Sequence, residues 1–114
     1  MLTWDDVRSL AADLPGTEVG TSYGTPALKV KGKLFVRIHD DGDSLVVKCD
    51  PFDRDFLTAL WPDRFYFTPH YRDYPWVLVR MAVAGPEDVR ELVAGAWRMA
   101  APKRVVAEWD AARR

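Results

Sequence analysis

The sequence predicts an α+β protein: an antiparallel sheet of about five strands with helices packed on one face. Three observations carry this. Between Ala27 and Lys48, apolar and polar residues alternate across two short turns, the pattern of paired half-buried strands. Helical spacing appears at both ends of the chain, at Trp4, Val7, Leu10, Ala11 and Leu14 and again at Val89, Leu92, Val93, Ala96, Trp97 and Ala100. The strand-like runs follow one another through short turns, which implies antiparallel pairing, and the flanking helices need a sheet face to cover.

The length of 114 residues fits one domain, residues 1–114, with a core near the small end of the usual range. A hydrophobic content of 48% and five tryptophans exclude a disordered segment. The net charge of −1 gives no bulk attraction to nucleic acid or membrane, yet the charge is uneven. Residues 1–26 carry Arg8 against Asp5, Asp6, Asp13 and Glu18. Residues 27–48 carry Lys29, Lys31, Lys33, Arg37 and Lys48, and their three acids all fall in one turn. A single cysteine, Cys49, excludes an internal disulfide and a cysteine-cluster metal site. Without a signal peptide or a long apolar run, the expectation is a cytoplasmic protein with no membrane partner, and a monomer is favoured.

Thr3 reads as the N-cap of the first helix, with Asp6 three residues on, and Pro15-Gly16 stops it. Thr17 to Tyr23 is a candidate strand leading into the turn-prone Gly24-Thr25-Pro26. From Leu28 to Ile38 the even positions are Leu28, Val30, Gly32, Leu34, Val36 and Ile38, and the odd ones Lys29, Lys31, Lys33, Phe35 and Arg37. A two-residue turn at Lys31-Gly32 would put the two halves out of phase; a three-residue turn, Lys31 to Lys33, keeps one apolar and one basic face. A second turn, His39 to Asp43, leads to the strand Ser44–Lys48.

Asp50 caps a second helix with Pro51 at its first position, and Phe52, Phe56, Leu57 and Leu60 form the stripe expected to be buried. Phe65 to Thr68 reads as a short strand and Pro69 to Pro75 as an aromatic loop. Trp76 to Val83 alternates again, with Val77, Val79, Met81 and Val83 on one side and Trp76, Leu78 and Arg80 on the other. Gly85-Pro86 opens the third helix and Pro102 the last, which carries Val105, Val106 and Trp109. The face of the sheet away from the helices is left with Lys29, Phe35, Arg37, Trp76 and Arg80.

Several ordered motifs resemble the MmcQ/YjbR family over roughly residues 4–100. They are Leu14-Pro15-Gly16, Tyr23-Gly24-Thr25-Pro26-Ala27-Leu28-Lys29-Val30, Gly32-Lys33-Leu34-Phe35, Lys48-Cys49-Asp50-Pro51, Pro69-His70-Tyr71 and Trp76-Val77. The resemblance implies a CyaY-like, or frataxin-like, topology and a DNA-binding protein with a double-wing motif. The chain has Ala96-Trp97 where that family often has Ser-Tyr, keeping an aromatic ring and losing a hydroxyl.

The residues that carry a binding function on this reading are Lys29, Lys31, Lys33, Phe35, Arg37, Lys48, His70, Tyr71, Arg72, Trp76 and Arg80. Cations would meet phosphates and aromatic rings would stack on unpaired bases of single- or double-stranded DNA. The alternatives are a solvated basic face that blocks edge pairing, and a small-ligand or peptide pocket in the same place. No catalytic residue and no cofactor or metal is expected. His70 reads first as a structural hydrogen-bonding residue, Cys49 as a buried thiol, and Asp40, Asp41 and Asp43 as a solvated turn without calcium-loop spacing.

Overall fold

Two two-residue turns begin the sheet. In the computed structural model, which describes residues 2–113, β1 (Thr17–Ser22) and β2 (Thr25–Val30) are joined by Tyr23-Gly24, at φ 52° and 78°. Strand β3 (Lys33–Ile38) follows β2 through Lys31-Gly32, at φ 52° and 76°. Positive φ at both central residues is the type I′ pattern, whose twist matches that of the flanking strands. The three-residue turn expected at Lys31–Lys33 is therefore corrected to two residues, with Val30 opposite Lys33.

The phase problem that such a turn creates is real, and a β-bulge solves it. Lys29 pairs with Leu34 but Leu28 pairs with Val36, so Phe35 is the extra residue in β3. Leu34 stays with Lys29 on the outer face, while Phe35 and Val36 both enter the core and Ile38 follows. Phe35 is fully buried, and its expected place among outward-facing binding residues is corrected.

Strands β4 (Ser44–Lys48), β5 (Phe65–Tyr66) and β6 (Trp76–Arg80) complete a six-stranded antiparallel sheet in the order β1-β2-β3-β4-β6-β5. The short strand expected at Phe65 to Thr68 is the two-residue edge strand β5, and the sheet has six strands where about five were expected. The alternation of β6 holds: Val77 and Val79 face the main core, Leu78 the other side. The strand ends at Arg80, however, and Val83 lies beyond it, half exposed.

Helices α1 (Trp4–Leu10), α3 (Pro86–Ala100) and α4 (Lys103–Ala112) cover the apolar face with α2 (Pro51–Leu60) beside them. The Thr3 capping box is present: Asp6 N–H donates to Thr3 Oγ1 at 3.2 Å and Thr3 N–H to Asp6 Oδ2 at 2.9 Å. Val89, Val93, Ala96, Trp97 and Ala100 of α3 are buried, and Trp97 Nε1 donates to the Pro15 carbonyl at 2.9 Å. Asp50 caps α2 as expected, accepting from Phe52 N–H at 2.8 Å. The stripe expected to be buried on α2 is not: Phe52, Phe56 and Leu60 are 81%, 59% and 51% exposed. The helix is anchored instead through Leu57, against the main core, and Arg54, which is buried. Among the described residues no helix is long and apolar enough to cross a membrane.

Candidate nucleic-acid interface

The outer sheet face is not bare. The segment after β5 makes a 3-10 turn, Pro69–Tyr71, and folds back so that Tyr71 packs on Val46 and Leu78. Phe67, Tyr66 and Trp76 surround this second, smaller core. Two buried arginines hold the segment in place. Arg54 donates to three loop carbonyls, from Nη1 to Tyr71 and Tyr74 at 2.9 Å each and from Nη2 to Arg72 at 3.0 Å. Its guanidinium also lies 4.2 Å from the Phe67 ring centre. Arg37 donates from Nη2 to the Tyr71 hydroxyl at 2.9 Å, and from Nη1 to the Ile38 carbonyl at 3.0 Å and to Thr25 Oγ1 and Asp40 Oδ1 at 3.3 Å each.

Arg37 is therefore on the expected face but is only 5% exposed and fully engaged. Its role as a direct phosphate contact is corrected to that of a scaffold beneath the site, because each donor of a fork that is already satisfied would have to be released first. Tyr71 is likewise buried and positions the loop.

Above Arg37 and Tyr71 opens a cleft of about 700 Å³, walled by Tyr23, Leu34, His39, His70, Tyr74 and Trp76. Tyr23 is 83% and Tyr74 55% exposed, so both rings present faces to solvent. His70 is exposed and sits edge-on to Tyr71, ring centres 4.8 Å apart. Trp76 is half-buried, with Lys48 Nζ 5.7 Å from its ring centre.

The register gathers the cations. Lys29 lies near the end of β2, Lys33 starts β3, and Lys48 ends β4 directly opposite Trp76. With Lys31 in the turn, four lysines collect at one end of the sheet: Lys29 and Lys48 lie on the outer face, while Lys33, opposite core-facing Val30, lies on the helix side, which corrects its expected place on the outer basic face. Lys31 and Lys33 are exposed and Lys29 and Lys48 half-buried. Arg72 is exposed on the loop. Arg80 is at the far end of β6, opposite Ser44 and 4.0 Å from the Tyr66 ring, away from this group.

Tyr23, Tyr74, Leu34 and His39 were not among the expected site residues. The Tyr-Gly pair between two alternating runs is the signal that could have placed Tyr23 at a hairpin tip. Arg54 carried no signal, since an arginine on a helix reads as solvated.

Cys49 plays no part in the cleft. It is 6% exposed, and burial, followed by Asp53 and Asp50, pushes its thiol up to about 11 from 9.0. The thiol form is thus favoured by folding; that stabilisation is complete below about pH 9 and is lost as pH climbs toward 11. Reaction of native protein with Ellman's reagent at pH 8 should be slower than in guanidinium by roughly a hundredfold, since the thiolate is the nucleophile. Equal rates would show that Cys49 is neither buried nor shifted.

A six-stranded antiparallel sheet, helices on one face and an aromatic cleft on the other define a small α+β protein. The YjbR family description matches residues 12–99, and the chain belongs to that family. Uncharacterised proteins of Mycobacterium tuberculosis and Mycobacterium bovis are each 34% identical to it over 121 aligned positions, spanning 93% of this chain and 94% of theirs. The crystal structure of Deinococcus radiodurans protein DR2400, with domain DUF419, superposes with a TM-score of 0.74 at 26% identity, over 87% of this chain and 78% of that one.

Proposed function

We propose that this protein binds nucleic acid as a non-catalytic module, with single strands preferred over duplex. The observation that carries the reading is the placement of Lys29, Lys31, Lys33 and Lys48 at one sheet end, with Lys48 against the Trp76 ring that walls an open aromatic cleft. An unpaired base has two faces to stack, and Tyr23, Tyr74 and Trp76 offer rings to it; the lysines then meet the flanking phosphates. A duplex cannot insert a base into a concave cleft without first unstacking it.

Titration of fluorescent oligonucleotides tests this. With four phosphate contacts, the slope of log affinity against log salt for single strands should be about −3. Replacing Lys31, Lys33 and Lys48 together with Glu should abolish binding while lowering the melting temperature by no more than a few degrees, because Lys31 and Lys33 are exposed and Lys48 is only half-buried. Trp76→Ala should weaken single-strand binding about tenfold and duplex binding less. Absence of binding by wild type at low salt, or undiminished binding by the triple variant, would overturn the reading.

A second reading rests on the concavity itself. A cleft of about 700 Å³ is within the range of small-ligand sites, so a free aromatic ligand could occupy it. Such a ligand would still bind the triple Glu variant.

A further inference from the structure

The exposed stripe on α2 leads to a second surface, which meets the first at Lys48. Phe52, Phe56 and Leu60 recur every fourth residue and all face solvent, at 81%, 59% and 51% exposure. Beside them a groove of about 520 Å³ runs between α2 and α3. Phe56, Leu57 and Trp61 line it from the α2 side, and Leu92, Ala96 and Met99 from α3. Apolar side chains contiguous over this length are unusual on a protein surface and mark contact sites.

The rim is acidic. Asp50 and Asp53 stand on the α2 side and Asp88 and Glu91 on the α3 side, against Lys48 and Arg64. Arg64 is already engaged, with Nη1 3.2 Å from Asp88 Oδ2. The same carboxylates act on the groove floor, where Asp53 and Asp50 add to burial in raising the Cys49 thiol.

Gly95 is an independent sign. It stands inside α3, lines the groove, and a Cβ built on it would meet nothing within 4 Å. Internal packing therefore does not require glycine there, although glycine inside a helix is less stable than alanine. What its missing side chain provides is space in the groove.

We propose that the α2–α3 groove docks a basic amphipathic helix from a partner protein. The apolar stripe from Phe52 to Leu60 spans about 12 Å along α2, enough to face two turns of a second helix. Leucine-like side chains of that helix enter between Phe56, Trp61 and Met99, and its lysines or arginines meet Asp53 and Glu91. A second copy of this chain is disfavoured because the same patch turned on itself sets acidic rim against acidic rim. Nucleic acid and anionic lipid are repelled by the same carboxylates.

The test uses the intact chain and a fluorescein-labelled Leu/Lys peptide with leucines on one helical face, read by anisotropy. Controls are a Leu/Glu peptide with the same leucines and a Leu/Lys peptide of scrambled order. The Leu/Lys helix should bind at least about tenfold more tightly than either control. Asp53→Lys with Glu91→Lys should reverse the preference between the Leu/Lys and Leu/Glu helices. Gly95→Trp should block binding by filling the groove, and Phe56→Glu, at an exposed position, should do so even where the tryptophan variant fails to fold. A Lys31→Glu, Lys33→Glu double variant, which leaves the groove-lining Lys48 in place, should bind the peptide within about twofold of wild type, which separates this groove from the aromatic cleft. No binding of the Leu/Lys helix, equal binding of the scrambled peptide, or indifference to Phe56→Glu would overturn the proposal. So would a wild-type dimer in sedimentation that Phe56→Glu dissociates, since the patch would then belong to a second copy.

Discussion

Val79→Asp should unfold or strongly destabilise the protein. Val79 has no exposed surface, pairs with Leu45 on β4 and Phe65 on β5, and points into the core beneath the helices. An aspartate there places a carboxyl among Val, Leu and Phe side chains, where it ionises only at large cost or stays neutral with its hydrogen bonds unmade. The loss of valine packing adds to this. Together the cost exceeds about 4 kcal/mol, a large part of the stability of a small protein. The melting temperature, followed by circular dichroism, should fall by about 20 °C or more. A variant that melts with wild type would mean that Val79 does not face the helices and that the strand register is wrong.

Arg54→Leu is the second large effect, and it acts on the other face. The Arg54 side chain is nearly inaccessible and donates to the carbonyls of Tyr71, Arg72 and Tyr74. Leucine fills much of the volume but leaves three carbonyls without donors. Hydrogen bonds from a charged group contribute about 1.5–3 kcal/mol each. Because the freed loop can take up water, a net loss of about 3 kcal/mol is expected from denaturant unfolding. The amides of Tyr71, Tyr74 and Trp76, which close turns within the loop, should exchange with solvent faster in the variant. Arg54→Lys should rescue little, since one ammonium cannot reproduce a planar fork. A variant with the wild-type unfolding midpoint would show that the loop holds itself.

What was legible in the sequence follows from how local each signal is. The α+β class and the two faces of β4 and β6 could be read because each strand is short and strictly alternating. That Lys29, Lys31, Lys48 and Trp76 sit at strand ends or in a turn could be read locally, whereas the face of Lys33 could not, because it depends on the turn length. The parity of β3 could not be read. Counting odd and even positions assumes an unbroken pleat, and the bulge at Phe35 breaks it, so Phe35 went to the wrong face and Arg37 was seen as free. The α2 stripe misled for a different reason. Helical spacing of apolar residues shows that a helix is amphipathic but not that its apolar side faces its own core. Tyr23 and Tyr74 depended on a turn geometry and on a loop folding back across the sheet, neither of which is local.

The tight turn at Lys31-Gly32 and the bulge at Phe35 also bear on how hairpin length can vary. Each alone inverts which side chains of β3 meet the helices; together they cancel. A hairpin with one more residue in the turn and one fewer at the bulge would bury the same side chains along the rest of β3. At fixed sequence, a three-residue turn with the bulge kept, or an unbulged β3 after the two-residue turn, would turn Val36 and Ile38 outward. Two relatives of equal overall length can then carry β2–β3 connections that align poorly and still present the same face.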